Sequence, residues 1–273
     1  MDLDPDITEY YERGREAGRL AQLGLGRLEF RRTQELLHRH LPKRGRIVDA
    51  GGGPGRYAAW LARRGYRVEL FDPIPLHVEQ ARAAAAGLPN ASFSVGLADA
   101  RRLPCTDGSA DAVLLLGPLY HLPDSRDRLR CLEEARRVLR PGGLVAVAAI
   151  SRFASLIDAI RHDWLADGTF AGLVDEDLAR GTHRNPERQE GYFTTAYFHR
   201  PEELTAELAA AGFGAVRLFA VEGPAAMASD ADLAGWMADP GRAERVLSAL
   251  RRVESEPSML GATGHVLAIA SQA

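Results

Sequence analysis

A glycine-rich turn that follows an acidic residue carries the first chemical signal in this chain of 273 residues. In Ile47-Val48-Asp49-Ala50-Gly51-Gly52-Gly53-Pro54-Gly55-Arg56, an apolar strand ends beside an acid, turns through four glycines and opens a helix near Tyr57. Glycine reaches positive φ and lets backbone approach a ligand closely, so the turn is shaped for a bound small molecule. A second strand ends in Val68-Glu69-Leu70-Phe71-Asp72, followed by Pro73 and lying 23 residues beyond Asp49. A carboxylate at such a strand end can accept hydrogen bonds from both hydroxyls of a ribose, which points to an adenosine-bearing ligand. Further along, the buried-strand pattern Ala112-Val113-Leu114-Leu115-Leu116 is broken by Gly117-Pro118, and Tyr120 and His121 follow. His121 is the histidine whose position best suits a base, because imidazole titrates near neutral pH.

The turn separates two kinds of nucleoside site. Dinucleotide folds use G-x-G-x-x-G/A, in which the last small residue permits close helix–strand packing. Counting from Gly51, that sixth position is Arg56. The spacing is instead acid-x-G-x-G-x-G, from Asp49 through Gly51, Gly53 and Gly55. With Asp72, the Asp99-Ala100 step after a third strand, and Arg140-Pro141-Gly142-Gly143 before a fifth, residues 45–150 resemble the class I methyltransferases that use S-adenosyl-L-methionine (SAM), of the small-molecule type.

That resemblance implies a Rossmann-like α/β fold. Its doubly wound sheet has seven mostly parallel strands, and the last strand runs antiparallel between the fifth and the sixth. It also implies a cofactor, SAM, and roles for particular residues. Asp49, Gly51 and Gly53 would face the methionine half, Asp72 and Pro73 the ribose, and Asp99 with Ala100 the adenine. The Leu116 carbonyl would meet the cofactor's ammonium. An N-terminal cap would bring Tyr11 over the pocket and offer the Arg19 fork to the methionine carboxylate. Tyr120 and His121 fall where an acceptor would approach the methyl group, and are the candidate catalytic residues.

Periodicity supplies the elements that must position these groups. Residues 8–41 read as helical and end at Pro42. Strands are expected at 46–50, 67–71, 92–96, 111–116 and 143–150, with helices at 55–64, 75–86 and 125–139. Such alternation implies parallel strands with helices on both faces. A helix at 201–211, a strand at 214–221, a helical interval at 229–252 and a strand at 265–270 complete the pattern. The chain then divides into an N-terminal helical cap (1–44), a core (45–150 and 201–273) and a lid insertion after the fifth strand (151–200), rich in aromatics and histidine. The path of residues 222–262 is open at this level.

Composition narrows the function. A formal net charge of −3 provides no basic field for nucleic acid. Lysine occurs once, at Lys43, which removes lysine as a plausible catalytic base. Cys105 and Cys131 provide neither a disulfide framework nor a zinc cluster. With no basic-then-apolar leader and no run of about 20 apolar residues, the expectation is a cytoplasmic protein without a membrane partner. The reading is a methyltransferase acting on an oxygen, nitrogen or carbon of a small molecule. An NAD(P)-linked oxidoreductase and a non-catalytic SAM-binding module are the alternatives.

Overall fold

The computed structural model describes residues 4–14, 16–22, 24–88, 91–185, 188–189 and 192–272. Its frame is the expected doubly wound sheet. Strand β1 (Arg46–Ala50) lies at the centre, with β2 (Arg67–Asp72) and β3 (Ser94–Leu97) on one side and β4 (Ala110–Leu115) and β5 (Leu139–Ser151) on the other. All four of these pairings are parallel. Parallel pairing needs crossovers, which α4 (Arg56–Ala62), α5 (Pro75–Ala86) and α6 (Ser125–Val138) supply. Strand order reverses between β1 and β4, so the ends of β1, β2 and β4 open into one crevice.

The antiparallel end is also as expected. The last strand, β9 (His265–Gln272), runs antiparallel between β5 and β8 (Phe213–Ala220). Two hydrophobic clusters sandwich the sheet, one against α6 and α9 (Pro201–Ala210), the other against α4 and α5.

Two details differ from the sequence pattern, and a third fills in the path it leaves open. The N-terminal helical stretch is three helices, α1 (Pro5–Glu12), α2 (Glu16–Gln22) and α3 (Gly24–His40); Gly14, at φ 71°, turns the chain after α1. The insertion contains α7 (Ala154–His162), α8 (Gly168–Arg180) and a short antiparallel pair, β6 (Thr182–His183) and β7 (Ala196–His199). Because β7 pairs with the end of β5, the insertion extends the sheet rather than merely covering it. Residues 222–262 fold back as α10 (Asp230–Ala238) and α11 (Pro240–Val253), whose Leu233, Leu247 and Leu250 bury against Leu28 of α3. No helix among the described residues is long and apolar enough to cross a membrane.

Candidate functional site

The glycine turn is tied down from two directions. Gly51 N donates to the carbonyl of Phe71 at 2.7 Å, and Gly53 N donates to Asp72 Oδ2 at 2.8 Å. Gly51 has φ 72°, and a Cβ there would lie 2.7 Å from the Pro118 ring, so the position requires glycine on both counts. A Cβ on Gly53 would meet open space, which marks the side of the turn where a ligand can approach the backbone. Asp72 is the buried fastener of this corner. Its Oδ1 accepts from Ile74 N at 2.9 Å and pairs with His77 Nδ1 at 3.1 Å.

Asp49 is a different case. It is 1% exposed, and neither carboxylate oxygen has a hydrogen-bond partner among the described residues. Burial, with the charge of Asp72 adding to it, pushes its carboxyl up to about 7. An orphaned acceptor pair lining a cavity is a polar deficit that a cationic ligand group can fill.

Asp99 shows the opposite balance. Its Oδ1 accepts from Arg101 N at 2.8 Å in an Asx-turn, and the Arg101 guanidinium grips the same carboxylate. Burial pushes this carboxyl up, yet the Arg101 bonds outweigh it and hold it below its usual value.

Every residue named from sequence for cofactor or catalysis lines one cavity of about 120 Å³: Tyr11, Arg19, Asp49, Gly51, Gly53, Asp72, Pro73, Asp99, Ala100, Leu116, Tyr120 and His121. The side chains are not all free in the manner expected of them. The Arg19 fork is taken by Glu29, at 2.6 and 3.1 Å, while its Nε donates to Glu16. His121 has both nitrogens engaged, Nδ1 with the carbonyl of Thr195 at 3.3 Å and Nε2 with the Tyr11 hydroxyl at 2.5 Å. Since a carbonyl only accepts, Nδ1 carries the proton and Tyr11 donates to Nε2. Burial pushes the His121 imidazole down to about 4, so it is neutral. Burial also raises the Tyr120 phenol, whose hydroxyl donates to the Leu116 carbonyl at 3.4 Å.

A second cavity, of about 290 Å³, lies behind this wall. Tyr11, Glu16, Arg19, Glu29 and Tyr120 line both spaces. The insertion supplies the far side with Trp164, Phe170, Tyr192 and Phe193, largely aromatic surface. Its floor carries His265, whose Nδ1 bonds Glu222 at 2.7 Å. Burial opposes charge on this ring, but the Glu222 carboxylate outweighs it and pushes the imidazole up to about 9. Glu29, Glu222 and His265 stand close enough together to hold a metal ion, but a charged imidazolium and the Arg19 fork engage those atoms instead. The sequence reading missed this network, and it also missed Asp177 and His183, because the partners are far apart in the chain or separated by a helix end.

With this geometry in view, the similarity to known proteins falls on the same part of the chain. Residues 48–147 match the family model described as a methyltransferase domain. This stretch matches a methyltransferase domain, and the fold around it is that of class I SAM-dependent methyltransferases. The methyltransferase GfsG of Streptomyces halstedii is 39% identical over 124 residues, covering 44% of this chain and 43% of that protein. A ubiquinone biosynthesis O-methyltransferase of Methylocella silvestris is 38% identical over 109 residues, covering 39% of this chain and 40% of that protein. The chain thus spans about two-fifths of the length of these curated relatives. Among solved structures, the Burkholderia thailandensis 1,6-didemethyltoxoflavin-N1-methyltransferase, with 1,6-didemethyltoxoflavin and S-adenosylhomocysteine bound, superposes with a TM-score of 0.58. It is 17% identical, over 98% of this chain and 85% of that one, a likeness of fold. SAM is the cofactor that belongs with the methyltransferase domain.

Proposed function

We propose that this protein transfers the methyl group of SAM to a small-molecule acceptor in the cytoplasm. The observation that carries the proposal is Asp49, a buried carboxylate with no partner among the described residues, in the cavity lined by the glycine turn. Asp49, Gly51 and Gly53 would hold the methionine half, whose ammonium answers the orphaned carboxylate and the Leu116 carbonyl. Asp72 and Pro73 would receive the ribose, Asp99 and Ala100 the adenine. Asp72 Oδ2, which accepts from Gly53 N, keeps a second lone pair for a ribose hydroxyl, whereas Oδ1 already takes Ile74 N and His77 Nδ1.

When bound, SAM supplies a methyl group activated on a sulfonium. The chain's own contribution is alignment and exclusion of water, an effect worth up to roughly 7–11 kcal/mol when two reactants are well oriented. The N-terminal cap (1–44) and the lid (151–200) would close over the core from two sides. Arg184 and Arg188 of the lid already reach Asp4, Asp6 and Glu9 of the cap. The acceptor would occupy the larger cavity and meet the methyl group at the wall the two spaces share. Tyr11, Tyr120 and His121 stand there, Tyr11 as a closing side chain that His121 orients. Arg19 would reach the methionine carboxylate once its bonds to Glu16 or Glu29 rearrange.

The test is calorimetric titration of SAM into the wild-type protein and Asp72→Asn, with NAD titrated in parallel. Saturable SAM binding, its weakening by at least about tenfold in D72N from lost charge-assisted bonds, and no response to NAD are expected. Unchanged SAM affinity in a folded D72N would overturn the assignment.

A further inference from the structure

One histidine in the lid is arranged as a base and has no other task in the structure. His183 Nδ1 lies 2.8 Å from Asp177 Oδ2, both residues are buried, and the ring lines the larger cavity. Because a carboxylate can only accept, Nδ1 carries the proton, and in the neutral ring the lone pair sits on Nε2. That Nε2 has no hydrogen-bond partner among the described residues. The ring stacks on Phe198 at 4.9 Å between centroids and 8° between planes, so its orientation is fixed. A buried ring nitrogen left unpaired beside a cavity is costly unless a ligand hydrogen fills it.

His121, the base expected from sequence, lacks this freedom because Tyr11 occupies its acceptor nitrogen. Phe193 neighbours both rings, its centroid 5.6 Å from that of His121 and 6.4 Å from that of His183. His183 and Tyr120 line the same cavity, and Tyr120 also lines the cofactor pocket. That space is also walled by Tyr10, Trp164, Phe170 and Tyr192, flat rings suited to a flat ligand. The carboxylates present are largely spoken for, Glu29 by Arg19 and Asp158 by Arg161, so they form no free anionic cage for an ammonium.

We propose that His183, oriented by Asp177, is the general base for methyl transfer to a hydroxyl on a planar aromatic ring. This rests on the methyltransferase reading above and deepens it. The O–H bond breaks, and its proton passes to Nε2 to give an imidazolium held against Asp177. The electron pair left on oxygen forms the new bond to the methyl carbon, while the carbon–sulfur pair stays with sulfur as S-adenosylhomocysteine departs. Asp177 is a positioning residue, fixing the tautomer and stabilising the imidazolium.

The full-length protein is first saturated with S-adenosylhomocysteine, then titrated with 4-nitrophenol, whose ionised form is yellow. Equilibrium dialysis measures binding and absorbance measures ionisation, at a pH where the free phenol is mostly protonated. Binding is expected with the ionised fraction raised by about tenfold, as a charge-assisted bond to imidazolium requires. His183→Asn keeps a donor toward Asp177 but removes the base. It should bind S-adenosylhomocysteine as the wild type does, bind the phenol and fail to ionise it. Asp177→Asn should give a partial loss of ionisation with phenol binding retained, and it tests the pair independently if H183N folds poorly. Ionisation that persists in H183N, or phenol bound without ionisation in the wild type, overturns His183 as the base. S-adenosylhomocysteine binding without phenol binding overturns the aromatic hydroxyl. Failure to bind S-adenosylhomocysteine at all overturns the methyltransferase reading beneath both.

Discussion

Asp49→Asn should make the ligand-free protein more stable and the cofactor complex weaker. Burial near the end of β1 pushes the Asp49 carboxyl from 3.8 up to about 7. Each factor of ten in an ionisation constant is about 1.4 kcal/mol, so keeping this group charged costs the fold on the order of 4 kcal/mol. The folded protein holds a proton between about pH 4 and 7 that the unfolded chain has released, so stability falls as pH rises through that window. The penalty is fully present above about pH 7 and absent below about pH 4. Asparagine is neutral throughout. Urea denaturation should therefore show D49N more stable than the wild type by up to about 4 kcal/mol near pH 8, and equal to it near pH 4. SAM reverses the sign, because its ammonium favours the carboxylate. At a pH below the Asp49 titration, binding to the wild type should release a proton, seen as a calorimetric heat that depends on the buffer's ionisation enthalpy. D49N should release none and bind more weakly. If D49N keeps the wild-type pH dependence of stability, or is destabilised near pH 8, the orphaned carboxylate is not strained as argued.

Two further substitutions probe the walls of the site. Gly51→Ala meets both a φ of 72° and the Pro118 ring at 2.7 Å. The backbone strain is about 1–2 kcal/mol, and displacement of the turn should lower S-adenosylhomocysteine affinity by about tenfold, measurable by calorimetry; unaltered affinity would remove the turn from the pocket. Glu222→Gln removes the carboxylate that overcomes burial and pushes His265 up to about 9. A raised histidine stabilises the fold fully below its unfolded value of about 6.5 and loses that contribution as pH climbs to about 9. Thermal melts should show this decline in the wild type and not in E222Q, with the ring followed by nuclear magnetic resonance.

The sheet was legible because its signals are local. Asp49 and the glycine turn, Asp72 before Pro73, and Asp99-Ala100 each need only backbone conformation at a strand end, which neighbouring residues largely decide. Doubly wound order then brings those strand ends together, so short motifs read separately converge on one cavity. The same locality explains the Asx-turn at Asp99, where Arg101 two residues on takes the carboxylate. Whether that acid binds adenine depends on how much acceptor capacity Arg101 leaves it, which spacing does not encode.

Charge pairing is where sequence reading ran out, and the reason is physical. Arg19 looked available because a helix pattern does not reveal that Glu29, on the next helix, will face it. His121 looked reactive because motif position says nothing of Tyr11 arriving from the cap. His183 looked like one aromatic-rich lid residue among many. Its partner Asp177 sits in the last turn of α8, and Gly181, at φ 75°, reverses the chain so that β6 returns the histidine to it. That reversal is a local backbone event, but its result is a non-periodic contact between helix and strand. Sequence periodicity therefore identifies the crevice, while the proposed proton chemistry would depend on side chains delivered by separate cap and lid elements. Under the proposed mechanism the acceptor chemistry would belong to His183, Asp177 and the aromatic wall rather than to the strand-end motifs.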